Sequence, residues 1–237
     1  MKKTPLIIFL FIYFASSAQN LVLNPDFELY RCAPWLNSSI EDCNSWTNPT
    51  LASPDYFNNN CIEEKTVAIP QKYWGFQMPK SGNSYAGIIA YDNRKHNPQE
   101  AGAEYLQGSL SETMQANKTY NIEFSVSLAE CSKISLQHLG IFFSEKEIKE
   151  KTVGLLKFIP QVISHTDISD TSKWVTIKET YLAKGNEKYF IIGCFDDGQK
   201  IKFDKVKPSK SIPDPRDYAY YFIDDMIITS PTGVRQQ

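Results

Sequence analysis

The residues best suited to chemistry lie in an aromatic segment near residue 75 and in a polar turn that follows it. Tyr73 and Trp74 stand beside Gln77, and Tyr91 and Arg94 come later in the chain. Sugars present apolar ring faces together with hydroxyl groups, so a site for them combines aromatic rings with amides and charged groups. The alternative is that the rings pack a long loop onto the core, because aromatic side chains bury much apolar area. These five residues are the candidate ligand-binding set.

Catalytic patterns are missing from the sequence. The histidines, His96, His138 and His165, stand in no H-x-x-x-H or H-E-x-x-H arrangement, and no G-x-S-x-G or phosphate-binding glycine loop occurs. Glu123 and Glu179 are two acids on predicted strands, and a glycosidase needs such a pair at close range. Acids on the outer face of a sheet are more often only solvated. The sequence therefore favours a protein that is not an enzyme.

Composition and charge narrow the class of protein. The 237 residues carry 25 basic and 27 acidic side chains, so the formal net charge is −2. This balance gives no electrostatic basis for nucleic-acid binding. The hydrophobic share of 42% is that of a globular protein, and the 13% of aromatic residues favours strands.

The N-terminus has the layout of a secretion signal. Lys2 and Lys3 precede an apolar run over residues 5–14, which is followed by small residues at 15–18. The run is shorter than the ~20 residues of a membrane-spanning helix, although a residual anchor is the alternative. We therefore expect residues 1–18 to be a signal peptide. The expected location is the periplasm, the outer-membrane surface or the extracellular space, with no transmembrane span.

The sequence pattern of the remaining chain predicts β-strands. Tyr120–Leu128 alternates apolar and polar residues, which is the pattern of a half-buried strand. The predicted strands are Tyr85–Tyr91, Gly102–Leu110 as an edge strand, Tyr120–Leu128, Leu136–Phe143, Trp174–Leu182, Tyr189–Phe195 and Tyr218–Thr229. Residues 183–187 contain a glycine and predict a hairpin between two of them. Several such strands predict an all-β sandwich.

Three segments interrupt the strand pattern. The sequence predicts a long ordered loop layer over residues 30–80 and a flexible loop over residues 196–217. Residues 144–156 allow one or two helical turns. We expect residues 19–230 to form a single domain, followed by a polar tail over residues 231–237.

A set of short motifs resembles a known group of proteins. The opening Asn20–Glu28, Ser53–Phe57, Ser81–Gly87, Ala183–Tyr189 and the closing Tyr220–Asp225 occur in the order seen in exported jelly-roll modules of Bacteroidetes. Those modules resemble the galactose-binding-like and carbohydrate-binding-module superfamily. The resemblance implies a jelly-roll sandwich of two antiparallel sheets and non-catalytic binding of carbohydrate at the cell envelope. The alternative partner is a protein of an outer-membrane or secretion-associated complex.

The resemblance also implies a structural calcium ion between the first and last strands. Glu28 matches the acid of the first strand, and Asp225 or Asp224 matches that of the last, with Asp92 and the carbonyls near Gly82 as further oxygen ligands. Both faces of the last strand are apolar, so at least one aspartate lies near a buried edge. Such a carboxylate must be hydrogen-bonded or hold a metal. The alternative to calcium is a hydrogen-bonded cap.

Five cysteines, an odd number, leave at least one thiol outside any internal pairing. The resemblance implies a disulfide between Cys32 and Cys61, which match its loop cysteines. Cys43 departs from the pattern, and its pairing with either of these stays open. Cys131 and Cys194 are either two buried thiols or a bridge across neighbouring strands.

Overall fold

A computed structural model describes residues 19–34, 37–61, 67–70, 73–94, 102–212 and 214–230. Two five-stranded antiparallel sheets pack into a β-sandwich of the jelly-roll type. The strands are β1 Trp46–Thr47, β2 Asp55–Asn58, β3 Ser84–Asp92, β4 Leu106–Ser109, β5 Thr119–Leu128, β6 Ile134–Leu136, β7 Gly140–Ser144, β8 Val162–Ile163, β9 Val175–Leu182, β10 Tyr189–Gly193, β11 Phe203–Lys205 and β12 Tyr218–Thr229. A short 3-10 turn covers Ile40–Asp42. The all-β fold class is confirmed.

The order of strands in each sheet places the two longest strands side by side. One sheet runs β2-β3-β12-β5-β9, and the other runs β1-β4-β10-β7-β8. A separate two-stranded sheet joins β11 to β6. On β5, Tyr120, Ile122, Phe124 and Val126 enter the main core between the sheets, as their alternation predicts.

The first sheet is buried on both faces along part of β12. Tyr221 and Ile223 point into the main core, whereas Tyr220 and Phe222 point to the opposite face. There they join a second, mostly aromatic cluster, which includes Phe57, Tyr85, Trp74 and Tyr218. Residues 73–81 lie over this cluster, and we call them the strap. The strap is the part of the fold that carries the aromatic segment seen in the sequence.

The predicted hairpin over residues 183–187 is wrong. β9 belongs to the first sheet and β10 to the second, so the connection passes from one sheet to the other. Glu187 organises the crossing: its carboxylate accepts hydrogen bonds from the Tyr181 hydroxyl at 2.6 Å and from the backbone N–H groups of Lys184 and Gly185. A hairpin within one sheet and a connection between two sheets can have the same turn residues. Only the packing of the strands distinguishes the two connections.

Other boundaries also differ from the sequence prediction. The segment Leu136–Phe143 is split between β6 and β7, and β4 lies between β1 and β10 rather than at an edge. Residues 144–156 contain no helical turn. The loop layer over residues 30–80 contributes β1 and β2, and the loop over residues 196–217 contains β11. These short strands are held by pairing with distant strands, which local sequence does not reveal.

The expected signal peptide over residues 1–18 and the polar tail over residues 231–237 lie outside the described residues. Where the structure describes the chain, it contains no helix long and apolar enough to span a membrane.

Candidate functional site

The strap is fastened to the first sheet by hydrogen bonds at its centre. The Tyr85 hydroxyl donates to the carbonyl oxygen of Gln77 at 3.1 Å, and the Ser127 hydroxyl donates to the Gln77 side-chain oxygen at 2.8 Å. The indole N–H of Trp174 donates to the carbonyl of Met78 at 2.8 Å. Gln77 is therefore buried as an anchor of the strap.

The aromatic residues at the start of the strap take opposite orientations. Trp74 is buried and stacks on Tyr220 with a centroid distance of 4.4 Å and an interplanar angle of 16°. Tyr73 is 46% exposed, and its ring meets that of Trp74 edge-on at 4.8 Å. The Arg216 Nη2 donates to the Tyr73 hydroxyl at 2.7 Å, and the guanidinium carbon lies 5.7 Å from the ring centroid. One exposed ring is thus held by a buried ring and an arginine.

A second arginine lies against the same aromatic group. The guanidinium carbon of Arg94 lies 5.5 Å from the centroid of Tyr218, and the Tyr218 ring lies 5.9 Å from that of Trp74. Arg94 forms a bidentate ion pair with Asp92, with nitrogen–oxygen distances of 2.9 and 2.6 Å. We call Tyr73, Trp74, Arg94, Arg216 and Tyr218 the aromatic–arginine patch.

The structure thus brings three of the five candidate ligand-binding residues into one patch, namely Tyr73, Trp74 and Arg94. Tyr91 lies elsewhere: its ring packs at 5.9 Å from Phe203, against the main core. Gln77 is the buried anchor already described.

Sequence reasoning missed two members of the patch. Arg216 lies in the predicted loop over residues 196–217, and Tyr218 is the first residue of the predicted strand Tyr218–Thr229. The aromatic run at the start of β12 was the only signal for either, and it does not show that the strap lies above it.

The three candidate calcium ligands converge on the turn at the end of the strap. A Glu28 carboxylate oxygen accepts a hydrogen bond from the Asn83 backbone N–H at 2.6 Å. Asp224 accepts from the N–H groups of Lys80 at 2.8 Å and Ser81 at 3.3 Å. Asp225 accepts from the Ser81 hydroxyl at 2.6 Å. The acids therefore hold the turn through its donors.

Burial is the main cause of the raised pKa of Asp224 at this turn. The Asp224 side chain is fully buried, and desolvation raises its pKa to about 8, with a further contribution from the charge of Asp225. Among the described residues no three acidic, histidine or cysteine side chains are grouped to hold a metal ion. The oxygens of Glu28, Asp224 and Asp225 fit amide and hydroxyl donors rather than a cation, so calcium stays a prediction from the resemblance alone.

The cysteines are thiols in the structure, and Cys32 and Cys61 are not joined. The thiol of Cys61 lies 3.1 Å from the carbonyl oxygen of Pro34, while Cys32 is exposed. Cys43, Cys131 and Cys194 are buried, and desolvation raises the pKa of the last two thiols to about 12. These two thiols are protonated and act as small apolar core groups. A Cys32–Cys61 disulfide stays a prediction.

The two acids considered for catalysis have structural partners. Glu123 forms an ion pair with Lys178 at 2.8 Å, and Glu179 accepts a hydrogen bond from the His165 backbone N–H at 3.0 Å. Both line a shallow recess of about 510 Å³ on the outer face of the first sheet. His138 lies on another surface, and its pKa is lowered mainly by burial. His96 lies outside the described residues.

Comparison with known proteins gives similarities of shape only. No family model matches the chain, and no curated sequence matches it significantly. Among solved structures, the CBM22-1 xylan-binding domain of Paenibacillus barcinonensis Xyn10C aligns with a TM-score of 0.43 and 11% identity, over 92% of this chain and 100% of that domain. A cyclase from Fischerella sp. aligns with a TM-score of 0.48 and 11% identity, over 91% and 97% of the respective chains.

A two-module protein is also among the similar structures. The Clostridium thermocellum xylanase 10B fragment with CBM22-1 and GH10 modules, complexed with xylohexaose, aligns with a TM-score of 0.46 and 13% identity. The alignment covers 91% of this chain and 29% of that one, so this chain spans less than a third of its length. The similar structures include both a binding module and enzymes, and they transfer no function to this chain.

Proposed function

We propose that this protein is a non-catalytic module that binds carbohydrate through the aromatic–arginine patch. The observation that carries the proposal is the ring of Tyr73, which is 46% exposed and is held in place by its contacts with Trp74 and Arg216. A supported ring is a platform for the apolar face of a sugar. Because the ring is already held in place, little conformational entropy is lost when a ligand stacks on it.

The charges around the platform suit a neutral sugar. Arg216 is paired with Asp214, and Arg94 is paired with Asp92. The Asn93 amide donates to Asp217 at 3.0 Å beside them. These groups offer both donors and acceptors, which hydroxyl groups require, without a large local excess of charge.

The N-terminal pattern and the motif resemblance support export to the cell envelope of a Bacteroidetes-like bacterium as part of the same proposal. An oxidising compartment would allow the Cys32–Cys61 disulfide. A mass measurement of the native protein with and without reductant tests that pairing.

A protein partner is the second candidate, and it rests on a different observation. Phe76 is 61% exposed and Met78 is 49% exposed on the same strap as Tyr73. Aromatic and methionine side chains are enriched at protein interfaces. A partner from an envelope complex would then cover the strap rather than stack on Tyr73 alone.

A panel of soluble neutral and acidic polysaccharides, including xylan, separates these candidates. Retardation of the protein by affinity electrophoresis in a neutral polysaccharide, reduced by Tyr73→Ala and unchanged by Leu182→Ala, is the expected result. Leu182 is an apolar residue at the far end of β9 that is more exposed than Tyr73, at 62%, and it serves as the control. Retardation by no polysaccharide, together with a single stoichiometric partner in an envelope pull-down, would contradict carbohydrate binding.

A further inference from the structure

Two carboxylates are buried under the second aromatic cluster and take no part in the patch itself. Asp55 on β2 and Glu104 just before β4 are almost entirely buried. Asp55 accepts hydrogen bonds from the Ser38 N–H at 2.7 Å and from the Tyr220 hydroxyl at 2.6 Å. Glu104 accepts from the Ile89 N–H at 2.7 Å and from the Ser53 hydroxyl at 3.0 Å.

The register of the sheet explains why these groups meet. Asp55 pairs with Gly87 across β2 and β3, and Tyr220 pairs with Ile89 across β12 and β3. The amide of Ile89 is the one that Glu104 contacts. Gly87 has no side chain, and a Cβ there would collide with the Tyr220 hydroxyl. The absence of a side chain therefore lets the phenol reach Asp55.

The pair has no cationic partner within the described part of the chain. Neither carboxylate takes part in an ion pair there, and the ionisable groups facing them are each other, the phenol of Tyr220 and, behind it, the thiol of Cys131. Burial raises the pKa of both carboxyls, and the charge of Asp55 raises that of Glu104 further. Two uncompensated negative charges in one dry site repel each other strongly, so the site favours at most one.

A continuous set of contacts leads from this pair to the exposed ring. The Tyr220 hydroxyl contacts Asp55, the Tyr220 ring stacks on Trp74 at 4.4 Å, and Trp74 supports Tyr73 at 4.8 Å. We propose that Asp55 and Glu104 form a pH switch beneath the aromatic–arginine patch, in which ionisation of both shifts Tyr220 and thereby the ring platform. This inference rests on the proposed function, because it concerns the regulation of that site.

The switch predicts better binding at mildly acidic pH. When one or both carboxyls hold a proton, the Tyr220 hydroxyl stays on Asp55 and the ring stack keeps its geometry. When the second negative charge forms, repulsion is relieved by movement of Asp55 or by entry of water, and either change displaces the phenol. The affinity of the patch for its polysaccharide then falls several-fold, since the exposed ring loses its support.

Tryptophan emission tests the switch without any ligand. The signal of Trp74 is isolated as the difference between the wild-type protein and Trp74→Phe, and it is followed from about pH 5 to about pH 9, which spans the range above ordinary carboxyl pKa values. We expect a transition in the wild type and in Glu123→Gln, a control acid on the sheet surface. The transition is expected to be lost in Glu104→Gln, and also in Tyr220→Phe, which keeps the stacked ring but lacks the hydroxyl.

The variants and the wild type together keep the test decisive. If Glu104→Gln fails to fold, infrared detection of a protonated carboxyl band near neutral pH in Asp224→Asn replaces it, because this change removes the other buried carboxyl with a raised pKa. Absence of that band overturns the proposal. A flat Trp74 signal in the wild type, or a Tyr220→Phe protein that titrates like the wild type, also overturns it.

Binding of a retained polysaccharide, measured at the two ends of the pH range, separates the two proposals. A transition in emission without binding to any polysaccharide contradicts the proposed function alone. Binding that does not change with pH contradicts the switch alone.

Discussion

Tyr73 and Trp74 are neighbours in sequence and have different roles because their side chains leave the strap in different directions. Trp74 therefore enters the aromatic cluster over Tyr220, while Tyr73 stays at the surface beside Arg216. Composition alone identified both residues as candidates for either packing or binding, and the structure assigns one role to each ring.

The difference between the two rings gives a stability prediction. Trp74→Ala removes a fully packed ring and should lower the free energy of unfolding by about 3–5 kcal/mol. Tyr73→Ala removes a half-exposed ring and should cost about 1 kcal/mol or less. Urea denaturation of both variants beside the wild type measures the two values. Equal losses would show that Tyr73 is also a packing residue.

A single glycine should be intolerant to substitution. Gly87→Ala places a methyl group against the Tyr220 hydroxyl and the Phe57 ring, both buried. We expect a loss of about 1–3 kcal/mol in unfolding free energy from overpacking. Gly102→Ala is the contrasting change and should leave the stability nearly unchanged, because a Cβ there meets only the Asp92 Cβ at 4.0 Å. Thermal melting compares them, and a Gly87→Ala protein as stable as the wild type would contradict the close packing.

The strap depends on acids contributed by distant elements. Asp224 on β12 accepts three backbone N–H groups, those of Lys80, Ser81 and Asp225, and Glu28 accepts a fourth from Asn83. The sequence resemblance had identified the same acids for a different reason. Which atoms they face depends on the path of the strap, and the sequence contains no local signal for that path.

The anchoring role predicts a large effect at one aspartate and a small effect at its neighbour. Asp224→Ala leaves the part-buried N–H groups of Lys80, Ser81 and Asp225 without this acceptor and should cost about 2–3 kcal/mol. Asp225→Ala loses one hydrogen bond near the surface and should cost about 1 kcal/mol or less. Thermal melting measures both.

The same melts compare the anchoring role with calcium binding. From the geometry we expect a chelator to leave the wild-type midpoint unchanged. A clear rise of the midpoint with added calcium would support the metal site instead, because a ligand that binds only the native state raises stability.

At the level of elements, the long strands were predicted well. β5 begins one residue before its predicted start, and β12 has the predicted bounds. The alternation of apolar and polar residues identifies β5, whereas β12 is apolar on both faces and is identified by its long apolar run. The crossing from β9 to β10 and the short strands β1, β2 and β11 were not predicted. Their partners are distant in sequence, and pairing is decided by burial of both faces rather than by local residues.

For the whole molecule, the buried acids predict how stability depends on pH. The pKa values of Asp55, Glu104 and Asp224 are raised in the folded state, all by desolvation first. The folded protein therefore binds more protons than the unfolded chain at neutral pH. The contribution of these three carboxyls to the free energy of unfolding is fully present below the ordinary carboxyl pKa values near 4. It is lost as pH rises through their raised pKa values.

The expected result is a fall in unfolding free energy between about pH 5 and about pH 8, with each group contributing at most about 1.4 kcal/mol per pH unit. Urea denaturation at intervals over this range measures the slope. Glu104→Gln should reduce the slope, and the surface change Glu123→Gln should leave it unchanged. A stability that rises steadily over the range would contradict the raised pKa values.

The fold class could be predicted from the sequence because strand patterns recur along most of the chain. The aromatic–arginine patch could be predicted only in part. Tyr73, Trp74 and Arg94 have side chains typical of a binding site, but Arg216 and Tyr218 join them only through the folding of the strap over β12. A site assembled from three separate segments cannot be read from any one of them.

The most direct test of the central claim is equilibrium binding of wild-type protein and Tyr73→Ala to one neutral polysaccharide, measured by titration calorimetry under the same conditions. Stacking on a supported aromatic ring predicts that the wild type binds and that Tyr73→Ala binds about tenfold more weakly or not at all. Equal affinities for the two proteins would contradict carbohydrate binding at the aromatic–arginine patch.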